Sequence, residues 1–327
     1  PGVHREVGLT ARIKPVFSIW RPLAGLSDDA AARLIHADGV HILLDLSGHT
    51  ASNRLPVFAC KPAPVQVSWL GYSNTTGLAA MDYLLGDPYI TPVNEESHFT
   101  ETVWRLPESY LCFTPPDDAP EVGPLPALSG GNITFGSFNN LTKMSDATVI
   151  LWARILQAVP GSSLLLRTRQ LGDQTVRETT FGRFAAQGID AKRLVLTGTA
   201  ATRAELLATY QRVDISLDPF PYNGTTTSME SLWMGVPVIT RRGDRFLSHV
   251  GESIAHNAGL IDWIAEDDDD CVARAVAHAA DLERLSAIRS SLRQQLLASP
   301  LMDSQRFARH FEEALRGMWR CRQQPQQ

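Results

Sequence analysis

The 327-residue chain is predicted to be an α/β protein with doubly wound parallel sheets in two domains. Three observations predict this. Short apolar runs bounded by turns alternate with stretches of helical period, the mark of βαβ units. The length, with 44% hydrophobic and 20% charged residues, is that of an ordinary globular chain long enough for two domains. Residues 114–131, TPPDDAPEVGPLPALSGG, are rich in proline, glycine and aspartate and form the best boundary in the chain.

The elements follow in order. Residues 40–46, VHILLDL, lie between Gly39 and Ser47-Gly48 and read as a buried parallel strand. Residues 65–70, 83–85 and 102–106 are further strand candidates. After the boundary, 133–138 is a strand and 145–159 a helix with Ser145 as its N-cap. Strands are expected at 163–167, 193–196, 214–217 and 237–240, with helices at about 175–187 and 203–211. From about 248 the chain is expected to be helical, ending in an amphipathic segment over 304–320. The acidic run Asp267–Asp270 reads as a solvated loop or helix start rather than a metal site.

Composition excludes several classes. Net charge is −5 and the pI near 6.0, which argues against a nucleic-acid partner. No apolar run reaches the roughly 18 residues a membrane helix needs. The four cysteines, Cys60, Cys112, Cys271 and Cys321, form no CxxC pair, so neither a disulfide framework nor zinc is suggested and a reducing cytoplasm fits. Pro1 in place of methionine points to a fragment or a processed chain.

The stretch PYNGTTTSMESLWMGVPVITRRGD, 221–244, carries the strongest chemical signal. The strand ending at Asp218 delivers the chain to a turn, and four hydroxyl residues, Thr225, Thr226, Thr227 and Ser228, then open a helix. Ligands of open α/β sheets bind beyond the carboxyl ends of the strands. A helix start there offers backbone N–H groups and partial positive charge to a phosphate. One hydroxyl suffices for capping, so four favour an anion site, with simple capping the alternative. Glu230 stands in the first turns, either to complement the dipole or to accept a ribose diol. The loop after the first strand of the same domain, FGSFNNLTKMS, brings Asn139, Asn140 and Lys143 to the same edge. There Lys143 is either a surface residue or a partner for phosphate.

Together these stretches resemble the O-linked N-acetylglucosamine transferases and their bacterial relatives. The segments that carry the resemblance are DGVHILLDLSGHT (38–50), RLPVFACKPAPVQVSWLGYSNTTG (54–77), MDYLLGD (81–87), FGSFNNLTKMS (135–145), DISLDPFPYNGTTTSMESLWMGVPVIT (214–240) and SSLRQQLLASPLMD (290–303). The resemblance implies a GT-B fold of two Rossmann-like lobes and an inverting transfer from UDP-N-acetylglucosamine to serine or threonine hydroxyls, with no required metal. It implies a division into an N-terminal lobe (1–120), a UDP-sugar-binding lobe (121–303) and a last helix (304–327) that packs back on the first lobe. The family's His-Pro pair is absent from residues 1–20, so the first lobe is expected to be truncated at its start. Protein acceptors are expected to be recruited by tetratricopeptide repeats outside this chain.

By the same resemblance, Lys143 contacts the diphosphate and steadies the leaving UDP, and Thr226 and Thr227 bind phosphate. Asn140 takes the place of a glutamine and Thr225 that of a histidine. Glu230 replaces a ribose-binding aspartate. Ala201 and Arg203 belong to the loop that reads uracil, and Leu206 replaces a base-stacking histidine. His41 matches an active-site histidine of the other lobe, although by its pattern alone it reads as a core histidine. The base that deprotonates the acceptor is left open among His41, a donor phosphate oxygen and water. Two other classes remain: a UDP-N-acetylglucosamine epimerase, and a module that binds UDP-sugar without turnover.

Overall fold

The computed structural model describes residues 8–323. The chain forms two compact units: unit 1 holds residues 8–87, 92–110 and 309–323, and unit 2 holds residues 88–91 and 111–308. The proline-rich segment 114–131 lies wholly within unit 2.

Unit 1 begins with helix α1 (Gly8–Ile13) and helix α2 (Asp28–Ala37). Ser27 caps α2, accepting from the Ala30 N–H at 3.2 Å. Strand β1 (Ile42–Asp45), helix α3 (Leu55–Ala59) and strands β2 (Val65–Ser68), β3 (Tyr83–Gly86) and β4 (Thr102–Arg105) follow. The four strands form one sheet in the order β1-β2-β3-β4, all parallel. All four residues of β2 are buried, as expected of an inner parallel strand covered on both faces. Inside it, the fully buried Gln66 donates to the carbonyls of Phe58 (2.9 Å) and Ala80 (2.8 Å).

Unit 2 contains α4 (Ala127–Gly130), β5 (Thr134–Ser137), α5 (Asp146–Ala158), β6 (Ser163–Arg167), α6 (Gln174–Ala185), β7 (Leu194–Thr197) and α7 (Arg203–Ala208). It continues through β8 (Ile215–Leu217), α8 (Thr226–Trp233), β9 (Val238–Arg241), α9 (Val250–Asn257), β10 (Ile264–Ala265), α10 (Asp268–Ala280) and α11 (Leu282–Leu297). The sheet order is β10-β9-β8-β5-β6-β7, all parallel. Starting from β5, this is the doubly wound arrangement in which chain direction across the sheet reverses between the first and fourth strands. The reversal opens a crevice beyond the carboxyl ends of β5 and β8.

Strand β10 corrects the expectation of a purely helical remainder after 248. It is two residues long and too short to leave a period in the sequence. The acidic run starts α10, where Asp267 accepts from the Asp270 N–H at 2.8 Å.

The last helix, α12 (Ser304–Gln323), belongs to unit 1 from residue 309 onward. There the Phe311 ring lies 4.7 Å from that of Trp69 and the Trp319 ring 5.0 Å from that of His41. Gly317 fits against Trp104, whose ring a Cβ would approach to 2.6 Å. No helix among the described residues is long and apolar enough to cross a membrane.

Candidate functional site

The crevice of unit 2 is built by the loops that leave β5 and β8. After β5 the chain runs through Asn139 and Asn140 into a single tight turn over Leu141–Lys143. Asn140 is exposed and caps this turn, accepting from Thr142 N at 3.0 Å, and Gln170 also donates to it. Helix α5 starts next. Its cap Ser145 accepts from Thr148 N at 3.1 Å, and the Ser145 and Thr148 hydroxyls donate to the carbonyl of Phe220 at 2.9 and 2.7 Å. The two crevice loops are thereby stitched together.

Strand β8 delivers Asp218, which is 5% exposed. One of its oxygens accepts from Gly224 N at 2.6 Å and the other from the Thr240 hydroxyl at 2.9 Å. Burial pushes this carboxyl up to about 7, against the pull of its hydrogen bonds and of Lys143. Asn223 is fully buried, donating to the Pro219 carbonyl at 3.0 Å and accepting from Gly251 N at 3.2 Å. Gly224 follows in a crowded place. A Cβ there would lie 2.5 Å from the Thr227 hydroxyl, 2.6 Å from that of Ser228 and 3.0 Å from Asn139 Oδ1.

The ammonium of Lys143 reaches across to this turn. It donates to the Asn223 carbonyl at 2.6 Å and lies 3.9 Å from the centre of the Tyr222 ring. Burial holds its pKa below that of an ordinary lysine, with Asp218 acting in the opposite sense. Helix α8 begins in front of it. Thr225 occupies the N-cap position and makes no side-chain capping bond. Thr226 is exposed, and the Thr227 hydroxyl donates to Asn139 Oδ1 at 3.0 Å. The first N–H groups of α8 therefore face the crevice without a hydroxyl from the cap.

Glu230 is buried one turn further on, and burial raises its pKa. Arg203 Nη2 donates to it at 3.0 Å and offsets part of that rise. The expected ribose acceptor and the expected base-loop cation are thus partners in the structure. Ala201 N donates to Glu205 at 2.9 Å, and Arg167 donates to the other oxygen of the same carboxylate at 2.9 Å. Thr202 caps α7, accepting from Glu205 N at 3.1 Å. Leu206 is half-buried and packs on the cluster that contains Phe138, Leu207 and Tyr210. It contributes an aliphatic edge and also anchors α7.

Of the residues singled out in the sequence, Asn140, Lys143, Thr225, Thr226, Thr227, Glu230, Ala201, Arg203 and Leu206 all belong to unit 2, on elements around the carboxyl edge of its sheet. His41 belongs to unit 1 and is exposed at the amino end of β1, where its carbonyl accepts from Val65 N at 3.2 Å. Its ring lines an apolar groove of about 400 Å³ with Leu315 and Trp319. The histidine at the carboxyl end of β1 is His49, whose Nε2 donates to the Thr76 carbonyl at 2.8 Å. Sequence reasoning did not single out Asp218, Tyr222 or Asn223. A carboxylate closing a buried strand, followed by a Tyr-Asn-Gly turn, was the available signal. Among the described residues, no group of three or more His, Cys, Asp or Glu is placed to hold a metal ion.

Two parallel Rossmann-like sheets and an anion-ready crevice at the reversal of the second define the class: this is a GT-B type α/β protein. The chain belongs to glycosyl transferase family 41, whose model matches residues 24–114 and 126–311. It is 41% identical over 302 residues to the probable UDP-N-acetylglucosamine–peptide N-acetylglucosaminyltransferase SPINDLY of Petunia hybrida, covering 92% of this chain and 32% of the relative. It is 32% identical over 329 residues to the Arabidopsis thaliana protein SEC, described by the same probable activity, covering 96% of this chain and 33% of the relative. The chain thus spans about a third of the length of these curated relatives. A solved mutant of the Thermobaculum terrenum O-GlcNAc transferase superposes with a TM-score of 0.92 at 37% identity, over 98% of this chain and 61% of that one. An Anabaena protein crystallised with UDP shares the fold alone, at a TM-score of 0.58 and 12% identity over 90% of this chain and 84% of that one.

Proposed function

We propose that this protein binds UDP-N-acetylglucosamine in the unit 2 crevice and transfers the sugar to serine or threonine hydroxyls of proteins, with inversion at the anomeric carbon. The observation that carries the reading is Lys143 bonded to the turn that leads into the uncapped start of α8, on loops that follow the two strands flanking the sheet reversal, in a member of family 41. The activity for which the relatives are named supports the donor and the acceptor class.

In this reading the diphosphate rests on the first N–H groups of α8 and on the Thr226 and Thr227 hydroxyls. Glu230 takes the ribose, exchanging part of its bond to Arg203. The Ala201 loop meets the uracil and Leu206 lies beside it. The acceptor oxygen forms its bond to C1 as the bond from C1 to the diphosphate oxygen breaks. The electron pair passes to UDP, and Lys143 offsets the charge that builds there. The acceptor proton leaves through a base drawn from the three candidates named above. The charge is met by the chain's own ammonium and N–H groups, so no metal is required. The reaction is assigned to the cytoplasm, on acceptors brought by tetratricopeptide repeats outside the segment described.

Calorimetric titration with UDP, followed by mass spectrometry of candidate acceptor proteins incubated with UDP-N-acetylglucosamine, tests this. Binding with sugar transfer is the expected result. A folded chain that ignores UDP would sink the reading. Binding without transfer would leave a nucleotide-sugar-binding module.

A further inference from the structure

We propose that Tyr222 is the positioning residue of Lys143: its ring and the Asn223 carbonyl hold the ammonium in one place, aimed at the donor's diphosphate before the donor arrives. This rests on the reading of Lys143 as the diphosphate partner. A free lysine side chain samples many rotamers, and an ammonium that wanders stabilises a developing charge poorly. The structure removes that freedom on two sides. Lys143 Nζ lies 3.9 Å from the Tyr222 ring centre and donates to the Asn223 carbonyl at 2.6 Å. An ammonium has three donors, so one is spent on the carbonyl and two are left for phosphate oxygens.

The holding pieces are themselves fixed. Asn223 is fully buried and its side chain is tied to Pro219 and to the start of α9. The next residue, Gly224, is pinned through its N–H to Asp218 at 2.6 Å. Tyr222 lies between Pro221 and this anchored pair, so its backbone has little room to move. Tyr222 is 42% exposed and its ring covers a half-buried cation. The face of an aromatic ring attracts an ammonium most strongly where water is thin. Burial at the same place lowers the lysine's pKa, which agrees with a group removed from bulk water.

Two measurements on the full chain test the proposal. The first is the ¹H–¹³C spectrum of the lysine side chains without ligand, with Lys143→Met identifying the resonance. An Hε group over a ring face is shielded, so the Lys143 signal is expected upfield of the other lysines. Tyr222→Leu should abolish that shift and Tyr222→Phe should keep it. The second is UDP titration. Tyr222→Leu is expected to weaken UDP binding about three- to thirtyfold, the range of a cation–ring contact. Tyr222→Phe should recover affinity to within about threefold of wild type. An unshifted Lys143 signal in the wild-type chain overturns the proposal. So does Tyr222→Leu binding UDP as tightly as wild type, or Tyr222→Phe behaving like Tyr222→Leu. A ring-dependent shift in a chain that fails to bind UDP would uphold the holding of Lys143 and bring down the donor reading instead.

Discussion

Two helices begin at the same crevice, and they begin differently. At the start of α5, Ser145 caps the helix, and with Thr148 it ties the crevice loop to Phe220. At the start of α8, with a richer supply of hydroxyls, the cap residue Thr225 makes no capping bond and Thr226 is exposed. The hydroxyls of α5 are consumed by the fold. Thr225 and Thr226 of α8 are not, and the absence of a side chain at Gly224 lets Thr227, Ser228 and Asn139 close in around it. The residue types are similar, so composition does not separate a structural helix start from a binding one. The destination of the hydrogen bonds does.

Four substitutions break or sharpen this contrast. Lys143→Ala should have the largest effect, lowering sugar-transfer turnover about 100- to 1000-fold, the usual cost of losing one preorganised charge partner. An unchanged circular-dichroism spectrum would show that the fold is retained, and wild-type turnover would remove Lys143 from the site. The double change Thr226→Ala/Thr227→Ala should come next. We expect UDP binding to weaken about tenfold or more by titration, since hydrogen bonds to charged groups each contribute about 1.5–3 kcal/mol. Ser145→Ala should act on the fold instead. A loss of about 1–2 kcal/mol in denaturant unfolding is expected, because both a cap and a loop tie disappear. Thr225→Ala should cost least, within about 0.5 kcal/mol, because the residue caps nothing. If Thr225→Ala proved as destabilising as Ser145→Ala, the two helix starts would be alike and the contrast would fail.

How much of this was legible beforehand depended on where each residue's partners lie in the chain. The strands were readable because buried parallel strands are short apolar runs closed by turns, and the crevice followed from their order. Ser145 was readable as a cap because its partner, Thr148, is three residues away. Strand β10 left no pattern because two residues have no period. The Arg203–Glu230 pair spans 27 positions and the reach of Lys143 to Asn223 spans 80, distances that local pattern cannot bridge. Arg289, 1% exposed, donates to the carbonyls of Gly123 and Val213, partners 166 and 76 positions away that no local pattern points to. His41 was taken from resemblance; by pattern alone it read as a core histidine, and it is exposed, because one polar residue at the start of an apolar run does not reveal which side of the strand end it takes.

The membership of α12 in unit 1 bears on how the protein is made. Unit 1 takes its sheet from the first part of the chain and its covering helix from the last, so residues 111–308 of unit 2 are synthesised in between. Domains generally fold as they emerge from the ribosome. Here unit 2 has all its strands and its crevice helices before unit 1 receives Phe311, Gly317 and Trp319. The unit that is begun first is therefore the later to finish, and it waits with Trp69 and Trp104 uncovered. A released chain that stops after Ala308 should show a protease-resistant unit 2 beside a digestible unit 1. Extension through residue 323 should then protect both.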